Sequence, residues 1–407
     1  MVKSDKIDSE IRKVAVAYHF FAHYRTPVIK ELVDRGQYSY LFFGNTSDPN
    51  SSGIVSATFS KKIKFYKLPT WRIGGVFIFQ SGLLRLALRK DIQAIIFLGN
   101  VKFLMTWAAA GLARLAGKRV LFWTHGWLRE EFGMMGWLRK IFYRLANGLL
   151  LYGNRARQIG IQAGFAPEDL YVIFNSLDTK RQQKLRDKLE PDDFWEVRQS
   201  LFSTPDRPLL IGVGRLTHDK RFDLLIQAAW QLKESGRPVN VLVVGEGSEY
   251  DTLVDLSKEY ELEVCFYGAC YHEYTLAKLI AAANVFVVPG SIGLSAIHSL
   301  VYGTPIVTHD CQDNQKPEWE AIIPGLNGSL YTFGEVDELV KAIQYWLHDG
   351  LTPDEVRKAC YSVVDQYYNP RFQRCEIERA LANKPARGYP LPESLVLPEN
   401  VTGGRNA

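Results

Sequence analysis

The chain has 407 residues, 47% hydrophobic and 23% charged. That is the balance of an ordinary soluble protein, too long for one hydrophobic core, so two domains are expected. The net charge of +5 conceals a segregation: residues 1–190 carry 30 Lys and Arg against 14 Asp and Glu, and the remainder carries 19 against 30. The basic residues are mixed with Trp, Phe and Met, and no nucleic-acid module signature occurs. An anionic lipid surface or an anionic acceptor is therefore the expected partner of the basic half, a merely solvated face the alternative, and nucleic acid is excluded.

The five cysteines (Cys265, Cys270, Cys311, Cys360 and Cys375) all lie beyond residue 264 and lack zinc-type spacing. No disulfide framework can hold the first half, and a reducing, cytoplasmic compartment is expected. The opening MVKSDKIDSEIRKVAVAY places charges where a signal peptide needs an apolar core. The longest apolar run, around Phe103–Ala113, is shorter than the roughly 18 residues of a spanning helix. The chain is expected to be cytoplasmic, with the inner membrane surface as a peripheral docking place.

In chain order, the first half offers strands at Val14–His19, Tyr38–Gly44, Ala94–Gly99, Val120–Thr124, Leu149–Tyr152 and Val172–Asn175. The second half offers Leu209–Val213, Asn240–Val244, Val264–Tyr267, Val285–Val288 and Pro305–His309. Nearly all are continuous apolar runs, the mark of parallel strands buried on both faces, and longer helical patterns alternate with them. The fold class is α/β, doubly wound, twice over. The expected domains are 1–190 and 208–366, with a linker at 191–207. A terminal helix at 367–382 is expected to pack back on the first domain, and a Pro- and Gly-rich tail at 383–407 to be disordered.

Residues Gly126–Tyr152 stand apart, with Trp127, Phe132, Met134, Met135, Trp137, Ile141 and Phe142 set among Arg129, Arg139, Lys140 and Arg144. A basic, aromatic amphipathic helix is the pattern of an interfacial membrane binder, and a core helix packed on the sheet is the alternative.

The chemistry concentrates after Leu209. A buried strand ends at Gly212-Val213-Gly214 and a helix begins near Phe222, with Arg215 and Lys220 between them. At the carboxyl end of a strand, an Arg fork and a Lys point charge suit a diphosphate. The next strand supplies Gly245-Glu246-Gly247, whose glycines admit close backbone approach. A third loop, Gly290 to Ser295, leads into a short helix with Ser295 as a candidate N-cap, aiming free N–H groups at an anion.

The succession G-R-L-x-x-x-K, V-G-E-G and P-G-S-I-G-L-S-A-I-H-S-L-V-Y-G-T-P-I-V resembles the retaining family 4 glycosyltransferases (glycosyl transferases group 1) of the GT-B fold, strongly from Leu209 to about Tyr331. The resemblance implies two Rossmann-like doubly wound domains facing across a cleft, with the donor on the second, the acceptor on the first, and closure between them. It implies that Arg215 and Lys220 grip the donor diphosphate, that Gly293, Leu294 and Ser295 supply backbone amides, and that Gly214, Gly245 and Glu246 line the donor loops. VLFWTHG resembles the family strand whose His, here His125, faces the donor sugar. VIFNSLD resembles the segment closing the first domain, with Ser176 in place of the usual Gly.

The family's Glu-x7-Glu pair is missing: its positions hold Gly290 and His298. His298 can still hydrogen-bond a ribose, or be a satisfied core histidine, whereas Gly290 cannot replace a carboxylate. Glu320 matches a later family glutamate, and Glu318 or Glu320 is a candidate donor contact. The first loop, with His23, Tyr24 and Arg25, lies where the acceptor should sit. Arg25 or His23 meets an anionic acceptor, or Arg25 pairs with Glu31 or Asp34.

No D-x-D, G-x-S-x-G, H-E-x-x-H or G-x4-G-K-[ST] motif occurs, so metal-bridged transfer, serine hydrolysis, zinc proteolysis and P-loop chemistry lose their main support. The expected activity is metal-independent hexosyl transfer with retention. The donor is a nucleotide sugar (UDP- or GDP-sugar), no cofactor is required, and the acceptor is a glycan or lipid-linked molecule in bacterial surface polysaccharide or glycolipid synthesis. The alternatives are a noncatalytic nucleotide-sugar-binding scaffold and a sugar-nucleotide epimerase of the same fold.

Overall fold

The computed structural model describes residues 13–47, 55–73 and 77–388. The charged amino-terminal stretch 1–12 and most of the expected tail lie outside the described residues. The chain divides into two compact units, which break after Asp178 and again after Tyr368.

The amino-terminal unit contains β1 Lys13–Phe20, β2 Ser39–Asn45, β3 Phe65–Lys67, β4 Thr70–Ile73, β5 Phe77–Gln80, β6 Ala94–Leu98, β7 Arg119–Thr124, β8 Gly148–Leu151 and β9 Leu170–Val172. Seven of these form one sheet in the order β3-β2-β1-β6-β7-β8-β9, every pairing parallel, while β4 and β5 pair apart as an antiparallel hairpin. Successive side chains of β1 enter opposite cores, Val14, Val16 and Tyr18 on one face and Ala15 and Ala17 on the other. That two-sided burial is why the strands read as unbroken apolar runs.

The carboxy-terminal unit contains β10 Leu209–Val213, β11 Asn240–Val244, β12 Val264–Gly268, β13 Val285–Val287, β14 Ile306–His309 and β15 Gly328–Tyr331. They form an all-parallel sheet in the order β12-β11-β10-β13-β14-β15. Counted within the unit this is 3-2-1-4-5-6, the doubly wound Rossmann order. The order reverses between β10 and β13, and in the other unit between β1 and β6. In such sheets the crevice outside the carboxyl ends at the reversal is where ligands bind.

Several boundaries differ from the sequence reading. The stretch expected as a linker at 191–207 holds a helix, Pro191–Leu201, started by proline and a reciprocal Glu190–Asp193 capping box. With the preceding helix Thr179–Arg186 it belongs to the carboxy-terminal unit, so the division falls at 178 rather than 190. The strand expected at Val172–Asn175 ends at Val172, because Phe174 takes a positive φ of 52° that no strand accommodates. The terminal helix is Pro370–Leu381 and is grouped with the amino-terminal unit. There Ile377, Ala380 and Leu381 join the core over β1, and Arg374 bridges Glu31 (3.2 Å) and Glu378 (2.9 Å).

Candidate functional site

In the carboxy-terminal unit the loops after β10 and β11 interlock through backbone bonds, Leu216 N–H to Glu246 O (2.9 Å) and Glu249 N–H to Leu216 O (2.9 Å). The contact is so close that a Cβ on Gly245 would stand 1.8 Å from Gly214 O, and one on Gly247 would stand 2.2 Å from Leu216 O. The glycines of the G-E-G sequence thus serve loop-to-loop packing.

The loop after β13 docks on the same β10 loop. Gly290 N–H donates to Lys220 O (2.8 Å) and Ser291 N–H to Asp219 O (2.8 Å). A Cβ at residue 290 would lie 2.1 Å from Asp219 O, so the seating of this loop leaves no room for a side chain there. Gln315 fastens the other side, accepting from Ile292 N–H (2.8 Å) and donating to the Thr308 hydroxyl (3.0 Å) and His309 O (2.9 Å).

Lys220 is held in this junction, its ammonium donating to Ser291 O and lying 3.5 Å from Asp219. Burial lowers its pKa and the nearby Lys316 adds to that, while Asp219 opposes both. Arg215 is exposed. Lys316, which the sequence reading passed over, is also exposed, with its Cγ 3.8 Å from where a Cβ on Gly293 would be. Arg215, Lys220 and Lys316 therefore follow the carboxyl ends of β10 and β14, on either side of the β13 loop. The helix that follows spans Ser295–Val301, with Leu294 as its cap residue and no side-chain cap bond. Ser295 is thus its first residue and not the N-cap expected.

His298 is paired rather than solitary. Its Nε2 lies 3.4 Å from Glu273, an ion-pair distance without hydrogen-bond alignment, and Glu273 also accepts from the Tyr302 hydroxyl (2.6 Å) and Gln182 (2.8 Å). Burial alone would raise the Glu273 carboxyl, but His298, Tyr302 and Gln182 hold it down at about 2. A carboxylate absent from residue 298 is thus present beside it. Glu318 and Glu320 are both buried in the short helix Pro317–Ala321, close enough to Tyr368 to raise its phenol further above the value that burial imposes. His309, at the end of β14, is buried and neutral; burial pushes it down to about 4.

In the amino-terminal unit Tyr18, Trp123 and Tyr152 stand at the carboxyl ends of β1, β7 and β8, on one face of the sheet. Arg25, the residue before helix Thr26–Arg35, enters this aromatic group. Its guanidinium carbon lies 4.6 Å from the Tyr18 ring centre, 5.0 Å from Trp123, 5.7 Å from Tyr152 and 5.9 Å from Tyr24, and it donates to the Tyr152 oxygen. It pairs with neither Glu31 nor Asp34; Glu31 goes to Arg374. Burial works against its charge, yet Tyr152, Tyr18 and Tyr24 leave its pKa raised. His125 is exposed with its ring 4.9 Å from Tyr152, so it shares this edge. His23 is exposed, its Nδ1 3.3 Å from Val55 O, and its ring meets Tyr24. Aromatic residues near the ends of the first, fourth and fifth predicted strands were the available signal for this cluster.

The helix within Gly126–Tyr152 spans only Gly133–Tyr143, and both readings of that stretch find residues there. Trp127, Phe142 and Tyr143 are buried in the core, whereas Phe132, Met134, Met135 and Trp137 are 82%, 73%, 55% and 61% exposed. Among the described residues no helix is long and apolar enough to cross a membrane.

Residues 193–363 match the family described as Glycosyl transferases group 1. A glycogen synthase of Hydrogenovibrio crunogenus is 33% identical over 181 residues, 41% of this chain and 36% of that protein. A GDP-mannose-dependent phosphatidylinositol dimannoside mannosyltransferase of Mycobacterium tuberculosis is 35% identical over 114 residues, 27% of this chain and 29% of that protein. The matches thus span about a third of these relatives' length. The crystal structure of Anabaena HepE in complex with UDP superposes with a TM-score of 0.68 at 19% identity, covering 91% of this chain and 99% of that one, which shows a shared fold. Residues 193–363 are therefore a glycosyl transferases group 1 domain, in a chain whose two Rossmann-like units have the GT-B fold.

Proposed function

We propose that this protein transfers a hexosyl group from a UDP- or GDP-sugar, with retention and without a metal, to a glycan or lipid-linked acceptor in bacterial surface polysaccharide or glycolipid synthesis. The observation that carries the reading is the junction of the β10 and β13 loops at the strand-order reversal, where Lys220 is built into the contact and Arg215 and Lys316 flank it. Nucleoside diphosphate sugars are the indicated donors because HepE was crystallised with UDP and a relative is named for GDP-mannose dependence.

Arg215 and Lys220 take the departing diphosphate, aided by the N–H groups of Gly293 to Ser295. Gly214, Gly245 and Glu246 line the nucleotide loops, and His298 meets the ribose with Glu273 behind it. Glu318 or Glu320 contacts the donor. His125 orients the donor sugar, and His23, Tyr24 and Arg25 receive the acceptor. The bond from the anomeric carbon to the diphosphate breaks, the acceptor oxygen bonds to that carbon on the same face, and the hydroxyl proton passes to the leaving phosphate.

Proton NMR of reactions containing a panel of UDP- and GDP-sugars tests this. An α-linked product from an α-linked donor is expected; a β-linked product would overturn retention. Nucleotide binding with no product from any donor and acceptor pair would favour the noncatalytic scaffold, to which the absence of glutamate at 290 and 298 points. Isomerised donor without acceptor would favour an epimerase.

The protein is further proposed to act at the inner face of the cytoplasmic membrane, docked through Phe132, Met134, Met135 and Trp137 with Arg129, Lys140 and Arg144 around them. Apolar side chains this exposed beside cations suit an anionic interface. In vesicle flotation, phosphatidylglycerol vesicles should carry the wild type, and Met134→Ser with Trp137→Ser should reduce the bound fraction several-fold; equal flotation of the two would rule this surface out.

A further inference from the structure

The edge of the amino-terminal sheet collects hydrogen-bond donors and offers them no anion. Arg25 makes one side-chain hydrogen bond, to the Tyr152 oxygen, and no carboxylate lies within ion-pair distance of it among the described residues. Its guanidinium lies against the Tyr18 and Trp123 rings, and the residue as a whole is partly buried. Trp123, 2% exposed, has its Nε1–H buried with no acceptor among the described residues. The Tyr18 hydroxyl is already spent on Trp123 O (3.4 Å).

Four aromatic faces partly offset the cost of burying a guanidinium, and they leave its planar fork unmatched. A buried indole N–H without a partner costs free energy that a bound acceptor atom restores. Arg presents parallel N–H groups whose geometry matches a phosphate or carboxylate. The cage stands at the carboxyl ends of β1, β7 and β8, the edge where this class of sheet takes its ligands.

We infer that Arg25 and the Trp123 indole form an oxyanion site that selects acceptors bearing a phosphate or carboxylate group, with Tyr18 and Tyr152 as its walls. The inference rests on the amino-terminal unit being the acceptor-binding one. A neutral sugar satisfies neither the charge nor the fork, so acceptor choice is set by the anionic group and not by hydroxyl pattern alone. The group comes from a sugar phosphate, a uronic acid or a lipid phosphate.

Saturation-transfer NMR on the full chain, with glucose, glucose 6-phosphate, glucuronate and dihexanoyl phosphatidic acid as probes, separates these sources. At least one anionic probe is expected to bind ten-fold or more tightly than glucose, and its identity names the source. Arg25→Gln should abolish that preference while UDP and GDP binding stays unchanged. Arg25→Lys, which keeps the charge and loses the fork, should reduce it several-fold and serves if the glutamine variant does not fold. Equal binding of glucose and all anionic probes, or a preference unchanged in either variant, would make the cage a structural clamp and overturn the proposal. An anion preference in a wild type that binds no nucleotide would instead sink the donor reading and leave this one standing.

Discussion

Replacing Arg215 or Lys220 with alanine is expected to lower turnover about 100- to 1,000-fold, the range for removing one preorganised group that stabilises developing charge. The two should differ in how they do so. Arg215 is exposed, and its loss should leave the thermal melting point within a few degrees of wild type. Lys220 is part of the junction between the β10 and β13 loops through Ser291 O, so Lys220→Ala should also loosen that junction and weaken nucleotide binding further. Charge-assisted contacts of this kind contribute about 1.5–3 kcal/mol, so a loss of about 10- to 100-fold in nucleotide affinity is the expected binding component. Lys220→Arg, which keeps the charge, should recover part of the affinity. Steady-state kinetics with calorimetric titration of the nucleotide checks both; a Lys220→Ala enzyme of wild-type kcat would remove Lys220 from the catalytic set.

Gly290→Glu, which places a carboxylate where the resemblance implies one, is expected to damage the protein and not improve it. The new Cβ would stand 2.1 Å from Asp219 O and 2.6 Å from the Lys220 carbonyl carbon, both backbone atoms that cannot swing aside. Relief requires breaking the paired bonds from Gly290 and Ser291 to the β10 loop. A destabilisation of about 3 kcal/mol or more is expected, the scale of overpacking combined with lost buried hydrogen bonds. Gly290→Ala should show most of it, because the clash begins at Cβ. Denaturant unfolding of the two variants measures this; wild-type stability in Gly290→Ala would show that the two loops are not locked as described. Glycine at 290 thus allows the β13 loop to seat directly on the backbone of the loop that carries Lys220.

The doubly wound character of both units was legible because strands buried on two faces leave unbroken apolar runs, as β10 and β11 do with their ends at the expected residues. What escaped was short or at an edge. β3, β4 and β5 have three or four residues each, lie at the sheet margin or in a separate hairpin, and carry no two-sided burial pattern to read. Thr179–Arg186 escaped too, because its composition is almost wholly polar and resembles a linker.

The site was legible as loops but not as contacts. Arg215, Lys220 and Gly293 to Ser295 stand where strand ends placed them, yet nothing in the sequence says that Gly290 faces the Asp219 carbonyl. Glu273 and His298 are 25 residues apart on different helices, and only the packing of the helices reveals their pairing. Arg25 had two acidic neighbours in sequence and uses neither, because Tyr18, Trp123 and Tyr152 converge on it from three strands.

Binding of a nucleoside diphosphate by the carboxy-terminal unit at the junction of the β10 and β13 loops is read by calorimetric titration of the wild type and Arg215→Ala with UDP, GDP and their sugars. Selective binding of one nucleotide family by the wild type, weakened about 10- to 100-fold in the variant, is the expected result. Absence of binding by the folded wild type to every member of the panel, or equal binding by wild type and variant, would contradict it.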